Sequence, residues 1–159
     1  MGKVMFLLLL VGGGWFAHQK YFAVSPAYET YQRFADARAR QDWAALDALS
    51  DGAAAQDLEE MRGMYKTQRF EVYGQSYAVP APSVAEIAGT VSWIDYQRES
   101  EESVDGAVRL VAVQTVCRIP PGVASAMCKW PVSFRHDVEL AQVGGTWLVE
   151  SFAEERITP

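Results

Sequence analysis

Behind Pro26 the apolar positions recur at helical spacing. Tyr28, Tyr31, Phe34 and Ala35 share one face of the stretch AYETYQRFADARARQDWAALDAL, which predicts a long helix. Asp42 is a suitable N-cap for a second, short helix carrying Trp43, Leu46 and Leu49. Ser50-Asp51-Gly52 punctuates the chain, and AAAQDLEEMRGMYKTQ predicts a third helix with Leu58, Met61, Met64 and Tyr65 on it. The period then changes to two. FEVYGQSYAV predicts a first strand, PAPS a break, VAEIAGTVSWIDYQ a second strand and RESEESVDG a polar turn. AVRLVAVQTVCRI, VSFRHDVELAQV and TWLVESFAEERI follow as strands three to five, the last two joined by a tight Gly144-Gly145 hairpin. Helices first and antiparallel strands afterwards define an α+β fold, with N-terminal helices covering one face of a curved sheet.

The segment ahead of Pro26 is of a different kind. MGKVMFLLLLVGGGWFAHQKYF carries Lys3 and then an uncharged stretch from Val4 to Ala17, short for a membrane span and typical of a signal-peptide core. Ala23-Val24-Ser25 has a small-x-small cleavage pattern, but Pro26 behind it disfavours cleavage. Tyr21 to Val24 extend the apolar segment, with Lys20 snorkelling and aromatics at the interface. The expectation is one hydrophobic helix over residues 1–25 acting as a signal-anchor, with Phe6, Leu7, Leu8, Leu9, Leu10, Trp15 and Phe16 in the bilayer; a cleaved signal peptide is the alternative. Either way residues 26–159 form one exported domain, anchored in the inner membrane by a single pass and facing the periplasm, or secreted after cleavage. Phe6 stands where an N-myristoylation motif needs Ser or Thr, and no cysteine is placed for lipidation.

Composition narrows the function classes. The 159 residues have room for one domain with a real core, half of them are apolar, and the formal net charge is −6. The 14 basic residues are scattered rather than clustered, which argues against a nucleic-acid partner.

Both cysteines lie in VCRIPPGVASAMCKW, between the third and fourth strands. With Cys117 facing Cys128 across the ladder, Thr115 falls opposite Trp130, Val113 opposite Val132, Val111 opposite Phe134 and Arg109 opposite His136. That register gathers apolar side chains of both strands on one face. It leaves Val108, Leu110, Ala112, Gln114 and Val116 on a mixed outer face. Cross-strand Cβ atoms lie about 5 Å apart, within reach of a disulfide. An oxidising compartment would close it, stabilising the fold by roughly 3 kcal/mol; two buried free thiols are the alternative in a reducing one. A metal site is disfavoured because the chain has no C-x-x-C and its only histidines are His18 and His136. No base is placed to make either cysteine catalytic.

ETYQRFADARARQDWAALDALSD resembles the opening of nuclear transport factor 2-like (SnoaL-like, cystatin-like) domains, and FRHDVELAQVGGTWLVESFAEERI resembles their last two strands. The resemblance spans residues 27 to 157 and is architectural. It implies a cone-shaped fold, a strongly curved antiparallel sheet wrapped around the long N-terminal helix with a pocket open at one end. Members of that superfold include isomerases and dehydratases with carboxylate, Tyr or His groups in the pocket, and also non-catalytic, membrane-anchored periplasmic subunits of secretion systems. The fold alone decides between none of these.

Three residues are candidates for chemistry: His136 as a general base, Arg109 beside it in the expected register, and Asp95 as a proton-shuttling carboxylate. No cofactor is implied, and RESEESVD follows no calcium-loop spacing. On the outer sheet face Leu110, Ala112 and Val116, with Leu148 and Phe152 of the last strand, form a candidate interface for a protein partner or a second copy. Two functions follow as expectations. One is a membrane-anchored, extracytoplasmic, non-catalytic accessory or assembly subunit of an envelope complex. The other is a pocket enzyme or carrier, isomerase- or dehydratase-like, for a small apolar ligand. A cavity with His136 and a carboxylate in hydrogen-bond reach favours the second; a filled cone with an exposed apolar sheet face favours the first.

Overall fold

In a computed structural model of the chain the described residues are 24–65, 67–72, 75–80, 84–119, 128 and 131–157. The expected anchor over residues 1–25 lies almost wholly outside them. Among the described residues no helix is long and apolar enough to cross a membrane.

Helix α1 (Pro26–Arg40) starts where Ser25 caps it, its hydroxyl accepting from the Tyr28 amide, with proline at the first helical position. It ends at Gln41, whose φ of 55° turns the chain into the left-handed region. Asp42 then caps α2 (Trp43–Leu49) by accepting from the Ala45 amide, as the sequence predicts. Helix α3 (Gly52–Tyr65) follows, and Tyr31, Phe34, Leu46, Leu49, Ala54 and Leu58 of the three helices meet in one core.

Strands β1 (Thr67–Val72) and β2 (Gln75–Pro80) form an antiparallel hairpin of their own. The single strand expected over FEVYGQSYAV is thus two, because the chain reverses between Val72 and Gln75. The front of the expected second strand is helical: α4 covers Val84–Thr90, a segment in which Ala85, Glu86 and Ala88 are good helix formers. Strand β3 (Val91–Val104) then runs straight through the expected polar turn and ends at Asp105–Gly106, both with positive φ. Charge obscured that strand because β3 is an edge, where glutamates are tolerated and discourage pairing with other chains.

β4 (Ala107–Arg118), β5 (Val132–Val143) and β6 (Thr146–Ile157) complete a four-stranded antiparallel sheet in the order β3-β4-β5-β6. Gly144 and Gly145, at φ of 59° and 87°, close the last hairpin as expected. Bulges between Arg98 and Ser100 and between Glu139 and Leu140 bend the sheet. The helices cover its inner face, where Val108, Leu110, Ala112, Val138, Leu140 and Val149 are buried against α1 to α3. This is the α+β arrangement of helices on a curled antiparallel sheet that the order of elements predicts.

The expected β4–β5 register is wrong. Thr115 lies opposite Ser133, Val113 opposite Arg135, Val111 opposite Asp137 and Arg109 opposite Glu139. Each partner lies three residues beyond the expected one, and an odd shift exchanges the two faces of β4. The cysteines are nevertheless joined: Cys117 and Cys128 form a disulfide with Cα atoms 6.1 Å apart. The regular ladder stops at Val116↔Val132, so Cys128 bonds from the connecting segment rather than from β5. A disulfide fixes a distance, not a register, and placing both cysteines on strands was the faulty step.

The candidate interface is corrected with it. Leu110 and Ala112 are fully buried and Val116 nearly so, all on the inner face. Phe152 also turns inward, tilted against Phe34 at 5.2 Å, whereas Leu148 lies on the outer side opposite Ala141. The bulge at Glu139/Leu140 puts these two β6 residues on different faces despite their even spacing. The outer face is polar and laced with cross-strand contacts: Arg109–Glu139 at 2.6 Å, Arg135–Glu99 at 3.1 Å and Thr115–Ser133 at 3.0 Å.

Candidate functional site

The three residues singled out for chemistry do not meet. Asp95 and Arg109 are exposed on the outer face, opposite Thr115 and Glu139, while His136 is fully buried on the inner face opposite Ala112. Arg109 and Glu139 perturb each other as a surface pair does: the hydrogen bond between them raises the guanidinium's pKa and lowers the carboxyl's.

What surrounds His136 is a cluster assembled from α1, β5 and β6. Its ring packs at 4.7 Å from the Phe152 ring and edge-on to Tyr31 at 5.8 Å. Nδ1 lies 2.9 Å from Tyr31 Oη, and Nε2 lies 3.3 Å from Glu154 Oε2. The second contact is close enough for charge to act but is not aligned as a hydrogen bond, so Nε2 lacks an aligned partner. Burial pushes the Tyr31 hydroxyl far above the usual tyrosine range, with the neighbouring tyrosines adding to it. It therefore keeps its proton and shares a buried hydrogen bond with His136 Nδ1, while Nε2 faces the Glu154 carboxylate.

Glu154 connects this buried core to solvent. Its side chain retains 31% exposure, and Arg38 Nε approaches the same Oε2 at 3.5 Å. Burial alone would raise its carboxyl, but His136 and Arg38 outweigh that and hold it below the usual glutamate range. Arg38 in turn lies over the Phe152 ring at 4.7 Å and donates to Met61 Sδ at 3.6 Å.

Two adjoining cavities meet at this group. One, of about 320 Å³, lies between α1, α3 and β6, with Phe34, Leu58, Met61 and Phe152 as apolar wall and Arg38, Asp57, Glu60 and Glu154 as polar wall. The other, of about 190 Å³, continues past Arg38, Met61 and Glu154 towards Gln114, Arg118 and Phe134. Gln114, also buried, donates to the Ala35 carbonyl at 3.0 Å and to Tyr96 Oη at 3.3 Å. Among the described residues no three His, Cys, Asp or Glu side chains converge as metal ligands.

Sequence reasoning found His136 and missed its partners. A bulge-free hairpin closed at Gly144-Gly145 would put Ala153 opposite His136; the extra residue at the bulge substitutes Glu154. Tyr31 and Phe152 carry helical and strand periodicity, which marks them as core without saying what they touch. The usable signal for Glu154 was its i+2 spacing from Phe152 on a strand, which puts both on the inner face.

No protein-family model matches the chain, and no curated protein matches it. Among solved structures, a chain titled as a substituted form of Rd1NTF2_05 is similar at 11% identity and a TM-score of 0.35, over 83% of this chain and 92% of that one. A superposition that loose transfers neither fold family nor function from one chain to the other.

Proposed function

We propose that the chain is an extracytoplasmic binding domain of nuclear transport factor 2-like type, holding a small ligand with an apolar body in the cleft between α1, α3 and β6. The observation that carries this is the cleft wall itself, where half-buried Met61 and Phe152, underlain by buried Phe34 and Leu58, adjoin the Arg38–Glu154 pair backed by buried His136. A carboxylate within reach of His136 beside a cavity is the feature that distinguishes a pocket protein from a filled scaffold. Binding fits better than turnover. Both ring nitrogens of His136 are turned to Tyr31 and Glu154, and Glu154 is held ionised rather than poised to donate a proton. The disulfide supports an oxidising compartment, and a tether through residues 1–25 in the inner membrane with the domain in the periplasm belongs to the same reading.

The test is a titration of the full chain in detergent with neutral, cationic and anionic aryl-alkyl probes, followed through the Met61 methyl resonance. A saturable shift of that resonance supports the reading, and no shift with any probe sinks it.

The accessory-subunit reading keeps one observation in its favour. Trp93 is 41% exposed on the outer face of edge strand β3, beside the disulfide-bonded Cys117. Affinity purification from solubilised membranes decides it: a stoichiometric partner lost in Trp93→Ala supports the subunit role, and a lone monomer counts against it.

A further inference from the structure

The cleft's charges are unbalanced. Asp57, Glu60 and Glu154 face it against the single guanidinium of Arg38. Asp57 and Glu60 are exposed and have neither ion-pair nor hydrogen-bond partner among the described residues. Glu154 is only half committed: Arg38 Nε and His136 Nε2 both converge on Oε2, at 3.5 and 3.3 Å, and neither is aligned as a hydrogen bond. Behind it the fully buried His136 turns an Nε2 that lacks an aligned acceptor toward this same carboxylate. The apolar wall is aromatic, and its Phe152 face already receives one cation, the guanidinium of Arg38.

We infer that the ligand of this cleft is an amphipathic cation, its ammonium taken by the Glu154 carboxylate and Asp57 and its aryl or alkyl body laid against Met61 and Phe152. The inference rests on the cleft being a binding site and adds the charge class of what it binds. An anionic ligand would meet three carboxylates with one guanidinium already engaged. A neutral one could hydrogen-bond to a carboxylate but would leave the cleft's excess negative charge uncompensated.

Phenethylammonium, phenethyl alcohol and hydrocinnamate share an aryl-ethyl body and differ in charge, so they separate the two readings. Titrated against the full chain, phenethylammonium is expected to bind at least about tenfold tighter than the alcohol, with hydrocinnamate weakest. Added salt should shrink that preference. Glu154→Gln should bring ammonium and alcohol to near parity, and Asp57→Asn, at an exposed helix position, should weaken ammonium binding several-fold without risk to folding. Equal binding of the three probes, preference for hydrocinnamate, or indifference to Asp57→Asn overturns the cationic class while the cleft remains a binding site. Failure of all three probes overturns both.

Discussion

Tyr31 Oη lies 2.9 Å from His136 Nδ1, a buried hydrogen bond that ties the middle of α1 to the inner face of β5 across 105 residues of sequence. Both side chains are fully buried, so neither polar group has water to fall back on. Tyr31→Phe keeps the ring in its contacts with Tyr28 and Tyr96 but strands Nδ1 without a partner. The variant should lose about 1–3 kcal/mol in urea denaturation. His136→Phe, which removes both polar atoms, should cost less than His136→Ala, which also opens a cavity. Equal losses in the two would show that the polar contacts, which both variants remove, matter there and the cavity does not.

The exchange of β4 faces is testable on neighbouring residues. Leu110 is fully buried against the helices, and Leu110→Ala should lose about 2–5 kcal/mol. Arg109, one residue earlier, is exposed and among the described residues forms a surface ion pair with Glu139 across the outer face, so Arg109→Ala should be indistinguishable from the parent in the same denaturation. In the register that pairs Arg109 with His136, the ranking would be the reverse.

These two residues also mark where sequence reasoning stops. Strands β4, β5 and β6 were legible almost to the residue, because β4 and β5 alternate between a covered and a wet face and the Gly144-Gly145 turn sets the start of β6. The cap at Asp42 and the Gly144-Gly145 turn were legible because their chemistry is local. The β4–β5 register was not, since β4 carries apolar residues on both faces, Val108, Leu110 and Ala112 on one and Val111 and Val113 on the other, so the apolar set of β5 fits against either. Glu154 was missed for a similar reason: one bulged residue decides whether His136 faces a methyl or a carboxylate.

The Cys117–Cys128 bond spans a sequence separation of 11, and Cys117 is fully buried beneath it. Reduction should lower stability by about 2–4 kcal/mol while leaving a folded core, since Tyr31, Phe34, Leu110 and Val138 pack independently of the bridge. Intact mass before and after reduction should differ by two hydrogens, and an unchanged mass would rule the bond out. Cys128→Ser should reproduce the reduced protein's stability, because the residue lies off the β-ladder and its loss removes little else.

Acid should weaken the fold through Glu154. Its carboxyl titrates below the ordinary 4.5 because His136 and Arg38 outweigh the effect of burial. A depressed carboxyl contributes stability that is present above its unfolded value and lost as pH falls through the folded one. Stability measured from pH 6 downward should therefore decline below about pH 4.5, and Glu154→Gln should show a shallower decline from a lower starting point. A parent and variant that fall in parallel would assign the acid limb to other carboxylates.

The alkaline limit belongs to the tyrosines around α1. Burial pushes Tyr96 up to about 12 from an ordinary 10.0, opposed only in part by the Gln114 hydrogen bond, and burial raises Tyr28 and Tyr31 as well. Folding thus favours the protonated phenol. Between pH 10 and 12 the unfolded chain gives up protons that the folded chain keeps, so stability is intact below the unfolded pKa and falls as pH rises through that window. The expected readout is tyrosinate absorbance that rises in two phases on alkaline titration, the delayed phase coinciding with loss of the far-ultraviolet helix signal. Tyr96→Phe should stay folded to higher pH than the parent, having no phenol to ionise at the Gln32 carbonyl and Gln114 amide that Tyr96 now engages. If Tyr96→Phe instead unfolds at lower pH than the parent, those two hydrogen bonds outweigh the titration and set the alkaline limit in its place.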